Sequence, residues 1–202
     1  MGSQVEPERR IRVDGHAARR RILDATAELA GQRGVDGATI GAISERSGLP
    51  KSSIYWHFGD KEALIASVVN DSYQRWIEHI KATTEPRDHE RLGAGFGPSI
   101  SAITNSPDFL RLGLMLSLDQ RQPESPARQR FIENRAEVRS TLRRLYRRTF
   151  PDLSEAGLDR LAQLTVALTD GFFIAERASE TELATNHQLI EAAINGAAQS
   201  LV

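Results

Sequence analysis

Three observations predict an all-α fold for these 202 residues. Apolar residues recur with the helical period in almost every segment, and no alternating run of β-branched residues bounded by turn dipeptides occurs. Prolines and glycines cut the chain into helix-sized lengths, about nine helices in all.

The first helix is expected from about residue 16 to residue 33, with Ile22, Ala25, Thr26, Leu29 and Ala30 on one face and Gly34 as its carboxyl-terminal cap. Asp36-Gly37 then turns the chain. Thr39 caps a short helix over 40–47, because its hydroxyl accepts an otherwise unpaired backbone N–H, and Gly48 ends that helix. After Leu49-Pro50 a second short helix covers about 51–57. Gly59-Asp60 breaks and recaps the chain for a long helix to about residue 83, and Pro86 marks the next boundary. Pro98, Pro107, Pro123, Pro126 and Pro151 divide the remainder into helices at about 89–104, 108–120, 126–149, 155–179 and 186–201. Gly93, Gly95, Gly97 and Pro98 lie so close together that the first of these is expected to be broken or partly loop.

Composition narrows the function classes. The chain is long enough to bury a substantial core without a covalent staple. It has no cysteine, which excludes disulfides, thiolate metal sites and cysteine nucleophiles and suits a reducing cytosol. The amino-terminal stretch is polar and no apolar run reaches the ~20 residues that span a bilayer. Glu6 stands where a myristoylation signal needs Ser or Thr. A soluble cytoplasmic protein with no membrane partner is expected. The net charge is −1, so bulk electrostatics announce no nucleic-acid partner. Locally, six arginines (Arg9, Arg10, Arg12, Arg19, Arg20, Arg21) face only Asp14 between residues 9 and 21. Residues 1–15 are read as a flexible basic arm, and Arg9, Arg10 and Arg12 as candidates for a minor groove. A solvated, charged helix start explains the same arginines.

Two short helices joined by a glycine-containing turn make a helix-turn-helix, which needs an apolar knot to fix its interhelical angle. Ile43, Leu49, Ile54 and Phe58 supply the knot. Lys51, Ser52, Ser53, Tyr55, Trp56 and His57 remain on or around the second helix, a polar and aromatic set suited to a groove. Hydroxyls and cations bond phosphate oxygens and fix position, while side chains near the helix start reach base edges. Ser52 and Ser53 permit a close approach, Lys51 can donate to guanine O6 or N7, and Trp56 can lie against a thymine methyl. Each aromatic taken alone reads as core. Ile54 and Phe58, at i and i+4, already define the buried face, which leaves Tyr55 and Trp56 outside it. His57 has no metal-ligand spacing to His16, His79, His89 or His187, so no metal site is expected.

Thr39-Ile40-Gly41-Ala42-Ile43-Ser44, then Gly48-Leu49-Pro50-Lys51-Ser52-Ser53-Ile54-Tyr55-Trp56-His57-Phe58-Gly59-Asp60-Lys61-Glu62-Ala63-Leu64, resembles the amino-terminal signature of the TetR (tetracycline-repressor-like) family. The aromatic-His-Phe stretch followed by Lys-Glu-x-Leu is its most specific part, and the resemblance covers about residues 16 to 64. It implies a three-helix DNA-binding domain over 16–62, a helical effector-binding and dimerisation domain over 63–202, and double-stranded DNA with a palindromic operator as partner. It implies phosphate contacts from Thr39, Tyr55, His57 and Lys61, with Lys51, Ser52, Ser53 and Trp56 near the bases. Gly41 departs from the family pattern, which often has a polar or charged residue there, so one specificity contact is in doubt.

Beyond the signature the chain matches only in layout. Leu64, Ile65, Val68 and Val69 begin the long helix, where they can pack on the first helix, and the resemblance implies that this helix links ligand occupancy to reader spacing. The apolar stretches 109–118, 131–132 and 172–174 build a core or line a cavity. Trp76, Phe96, Phe109, Leu112, Met115, Leu116, Phe131 and Phe172 are the candidate walls for a small apolar effector, and Asn105, Asp119 and Arg135 the candidate polar anchors. The last two helices carry small and apolar residues that permit close packing. Leu164, Ala167, Leu168, Gly171, Ala175, Ile190, Ala193, Ile194 and Ala197 form the candidate homodimer interface that the resemblance implies, although packing within one chain explains the pattern equally well. The arginines between Arg128 and Arg148 read as a solvated face with Glu133 and Glu137 as helix partners.

No paired carboxylates, nucleophile with its base, phosphate loop or metal cluster occurs as a motif, so neither an enzyme nor a cofactor is expected. The expected function is sequence-specific transcriptional regulation, as a repressor released by an effector. The competing readings are a helical enzyme, or a scaffold whose helix-turn-helix serves no operator.

Overall fold

The computed structural model describes residues 6–84, 107–119, 124–178 and 186–201, and these form eight α-helices without a strand. They are α1 (Glu6–Gly37), α2 (Ile40–Ser47), α3 (Lys51–Phe58), α4 (Lys61–Thr84), α5 (Pro107–Leu118), α6 (Pro126–Thr149), α7 (Glu155–Ala178) and α8 (Asn186–Ser200). The expected boundaries hold to within two residues except at the two ends of α1. The helix expected at 89–104, with Phe96 and Asn105, lies outside the described residues.

The arm expected to be flexible before residue 16 is helical from Glu6 onward. Pro7 sits in the first turn, where its missing N–H costs nothing. At the other end α1 is interrupted at Gly34, which takes a positive φ of 77°.

The chain divides into two compact units, residues 1–71 with 111–131 and residues 72–110 with 132–202. This departs from the boundary expected at 62/63. No linker exists there: α4 starts at Lys61, and its Leu64 and Val68 belong to the core of the first unit.

That core joins Ile22, Leu23, Leu29 and Ala30 of α1 to Ala38, Ile43 of α2, Ile54 and Phe58 of α3, and Leu112 of α5. Side chains at i, i+4 and i+7 bring the helices together, and each Ile, Leu or Phe among them contributes roughly 1.5–3 kcal/mol when fully buried. In α5, Gly113 allows the Phe131 ring to lie against the helix, where any Cβ would overlap it.

In the second unit Tyr73 and Trp76 of α4 meet Phe109, with ring centroids 5.4 to 6.0 Å apart. Buried Tyr146 of α6 shares a 2.6 Å hydrogen bond with Thr165 of α7. Helix α8 packs on α7, and its buried residues are Ile190, Ile194 and Ala198.

Candidate nucleic-acid interface

Local chemistry sets the angle between α2 and α3. The Thr39 hydroxyl accepts the Ala42 N–H at 3.2 Å and caps α2. Gly48 closes that helix at φ 66°, a left-handed conformation that a Cβ would strain. Arg21 of α1 reaches the same corner and donates to the Ser47 carbonyl, so a Cβ on Gly48 would also crowd its guanidinium. The Ser44 hydroxyl donates to the Leu49 carbonyl at 2.7 Å and ties the turn down. Pro50 opens α3, with its carbonyl accepting from Ser53 at 2.9 Å. Asp60 caps α4 by accepting the Ala63 N–H at 2.7 Å.

With Ile54 and Phe58 buried, the rest of α3 points away from the core. Trp56 is 79% exposed and Tyr55 50%, unusual values for large aromatic rings. Lys51 and Ser52 are exposed, and Ser53 and His57 are partly so. Seven of the eight expected contact residues therefore share one short segment, 51–61, and Thr39 caps the neighbouring helix. Lys61 is half-buried and donates to the Asp36 carbonyl at 3.3 Å, which holds its ammonium near the end of α1.

His57 lies edge-on to Trp56, with centroids 4.6 Å apart. Burial and the nearby positive charge of Arg19 lower its pKa below 6.5, so the free protein keeps the imidazole neutral at neutral pH. Arg19 itself lies over the Phe58 ring, 5.1 Å from its centroid. Arg20 bonds Asp24 and Asp71. Three of the six arginines between residues 9 and 21 thus work inside the first unit: Arg19, Arg20 and Arg21 brace α1 against α2, α3 and α4. The sequence signal for this was the i,i+4 pair Arg20 and Asp24; the other partners lie too far along the chain to be read.

The expected effector walls do not form one cavity. In the second unit Trp76, Phe109, Leu110, Val138, Leu142 and Val166 line a cavity of about 20 Å³, together with Thr165, Thr169 and the pair Arg135 and Asp170. Arg135, an expected polar anchor, donates from Nη1 to Oδ1 of Asp170 at 3.0 Å and from Nη2 to Oδ2 at 2.6 Å. Leu112 and Phe131 instead belong to the first unit, where Leu112 is core and Phe131 covers Gly113. Met115, Leu116 and Asp119 line a hollow of about 580 Å³ in that unit, with Arg33, Asp36, Lys61 and Glu62 among the other walls. Five charged groups of both signs, Arg33, Asp36, Lys61, Glu62 and Asp119, line that hollow. The cause of the split is that α5 and α6 each pass from one unit to the other, so apolar residues one turn apart serve different cores. Phe172 is half-buried on α7. The cavity residues that sequence reasoning missed, Val138 and Leu142 beside Arg135 and Val166 and Thr169 beside Asp170, follow helical spacing that points to a shared face.

The candidate dimer residues also separate. Ile190 and Ile194 are sealed within the protomer, which corrects their assignment to an interface. Ala167, Gly171 and Ala193 are exposed, and Leu164, Leu168, Ala175 and Ala197 are half-buried. Ile174 and Leu189, which sequence reasoning left out, are exposed large apolar residues on the same two helices. On α6, Arg143 and Arg147 both pair with Glu155, whose pKa their hydrogen bonds lower. Among the described residues no group of three His, Cys, Asp or Glu can hold a metal ion, and no helix is long and apolar enough to cross a membrane.

Residues 22–68 match the family described as "Bacterial regulatory proteins, tetR family". The chain is 30% identical over 80 residues to the HTH-type transcriptional regulator TtgR of Pseudomonas putida, covering 40% of this chain and 38% of that protein. It is 30% identical over 63 residues to the HTH-type transcriptional repressor AcnR of Corynebacterium efficiens, covering 31% and 34%. The matched stretch thus spans little more than a third of these relatives. A solved structure of a transcriptional regulator from Aquifex aeolicus superposes with a TM-score of 0.68 at 17% identity, over 88% of this chain and 98% of that one.

Proposed function

We propose that the chain is a regulator of the tetR family of bacterial regulatory proteins, acting as an operator-binding transcriptional repressor controlled by a small-molecule effector. The observation that carries this reading is the outward face of α3, where Trp56 and Tyr55 stand in water over a fully apolar anchor of Ile54 and Phe58. A bare indole costs solvation free energy in the free protein, and a groove that covers it returns that cost. Lys51, Ser52, Ser53 and Trp56 face base edges, while Thr39, Tyr55, His57 and Lys61 hold phosphates. The relative AcnR is described as a repressor, which favours repression over activation.

The site of action is the cytoplasm, and the active form is a homodimer on a palindrome. Gly171 and Gly196 have open space where a Cβ would stand, and Ala167, Ile174, Leu189 and Ala193 are exposed beside them. Such a face permits close helix packing between two copies. Gly171→Arg is expected to turn the dimer into monomers in sedimentation while α-helical content stays unchanged.

The deciding experiment is a gel-shift with the DNA upstream of the chain's own coding region, against a scrambled duplex of equal length and at two salt concentrations. A shift of the first that survives salt better than that of the second supports the reading. Equal affinity for both duplexes, or for neither, overturns it.

A further inference from the structure

We propose that the second-unit cavity takes a lipophilic organic cation, and that Arg135 is a built-in placeholder for it, seated on Asp170 until the ligand displaces it. The inference rests on the reading of the chain as an effector-controlled regulator and names the chemical class of the effector.

Six of the ten lining residues are apolar, and Trp76 and Phe109 stack at 5.4 Å between centroids with their planes 26° apart. Among the polar residues of the lining, Thr165 donates to the Leu161 carbonyl at 2.8 Å and Thr169 to the Thr165 carbonyl at 2.8 Å, so both hydroxyl protons are already engaged, and the Thr165 oxygen also meets the Tyr146 hydroxyl at 2.6 Å. Recognition of a polar group therefore falls to the Arg135 and Asp170 pair. As the pair stands, the cavity of about 20 Å³ has room for roughly one water molecule. A ligand of useful size enters only by parting the two.

Which partner yields is decided by geometry. Asp170 has a short side chain rooted on α7, 17% exposed, and cannot carry its carboxylate to water. Arg135 is the more exposed at 27%, and its long stem can lift the guanidinium into solvent while the stem stays on apolar surface. A cation that replaces it keeps the carboxylate paired. An anion would have to capture Arg135 and leave Asp170 unpaired beside it, two like charges in a place of low dielectric. The aromatic walls select in the same direction, since ring faces attract cations and repel anions.

The test is calorimetric titration of the full chain with benzamidinium and with phenethylammonium, using benzoate as the anionic control. Both cations are expected to bind, about tenfold more tightly in Arg135→Met because the competitor is gone, and to lose binding in Asp170→Asn. Circular dichroism checks folding. If Asp170→Asn does not fold, the double variant Arg135→Met with Asp170→Asn, which removes both charges of the pair, takes its place and is expected to bind neither cation. Benzoate binding that Arg135→Met abolishes, cation binding indifferent to Asp170, or no cation binding by folded Arg135→Met would each overturn the assignment. A parallel gel-shift keeps the two ideas apart. Cation binding without change in DNA affinity sinks effector control and leaves the site standing, whereas DNA release by another compound with no cation bound does the reverse.

Discussion

The two units handle the same residue types in opposite ways. In the first, polar side chains are tied up close to home: Thr39, Ser44 and Asp60 each bond a backbone group within five residues, and Arg19, Arg20 and Arg21 bind helix ends, acids and a ring. What is left over lies on the outside, and its exposure marks it. In the second unit the informative polar groups are inside, where Arg135 and Asp170 meet across 35 residues of chain. The proposed DNA-facing surface is marked by apolar rings that stay out, and the cavity by charges that go in.

Substitutions can break or sharpen this contrast. The largest effect is expected for Phe109→Ala, at ~3–5 kcal/mol of stability from lost burial plus a void among Trp76, Tyr73 and Leu110. Urea unfolding followed by far-ultraviolet circular dichroism measures it, and a loss under ~1 kcal/mol would mean that the aromatic cluster is not the core of its unit. Trp56→Ala should do the reverse. Stability stays within ~0.5 kcal/mol because the ring touches little, while operator affinity falls by ~1–3 kcal/mol in a gel-shift.

Next comes the division of labour within the reader. Lys51→Ala is expected to cost ~1–3 kcal/mol and to relax preference at one base pair, whereas Lys61→Ala weakens all duplexes alike and lowers the salt slope by about one. Matched losses on operator and scrambled DNA for Lys51→Ala would remove it from the base-reading group. Thr39→Ala should cost ~1 kcal/mol of stability through loss of the α2 cap, seen as a lower urea midpoint. The smallest effect is that of pH. Because the imidazole of His57 is neutral in the free protein and a phosphate favours its charged form, the complex binds the extra proton. Operator affinity should then rise as pH falls towards the lowered pKa, and His57→Gln should flatten that slope.

Much of the first unit was legible because its punctuation is local. Thr39, Gly48, Pro50 and Asp60 each act within one turn of their own position, so caps and breaks could be read directly, and the spacing of Ile54 and Phe58 told which face is buried and that Tyr55 and Trp56 lie outside it. The start of α1 was missed because a basic stretch without an apolar stripe carries no helical period. The unit boundary was missed because α4 is continuous, with nothing in its pattern to mark where one core ends. In α8 apolar residues occupy two faces, Ile190, Ile194 and Ala198 on one and Leu189, Ala193 and Gly196 on the other, and periodicity cannot say which of them meets its own chain. The Arg135 and Asp170 pair was beyond sequence reasoning for a plainer reason: each residue is ordinary on its own helix.

The two tryptophans of the chain divide between the units, Trp56 almost bare on α3 and Trp76 sealed at 2% exposure beside the cavity. Indole emission moves to shorter wavelength as its surroundings dry, so the protein carries two intrinsic lamps of different colour. A duplex should dim or blue-shift the red one, and a ligand should disturb the blue one, without any attached label.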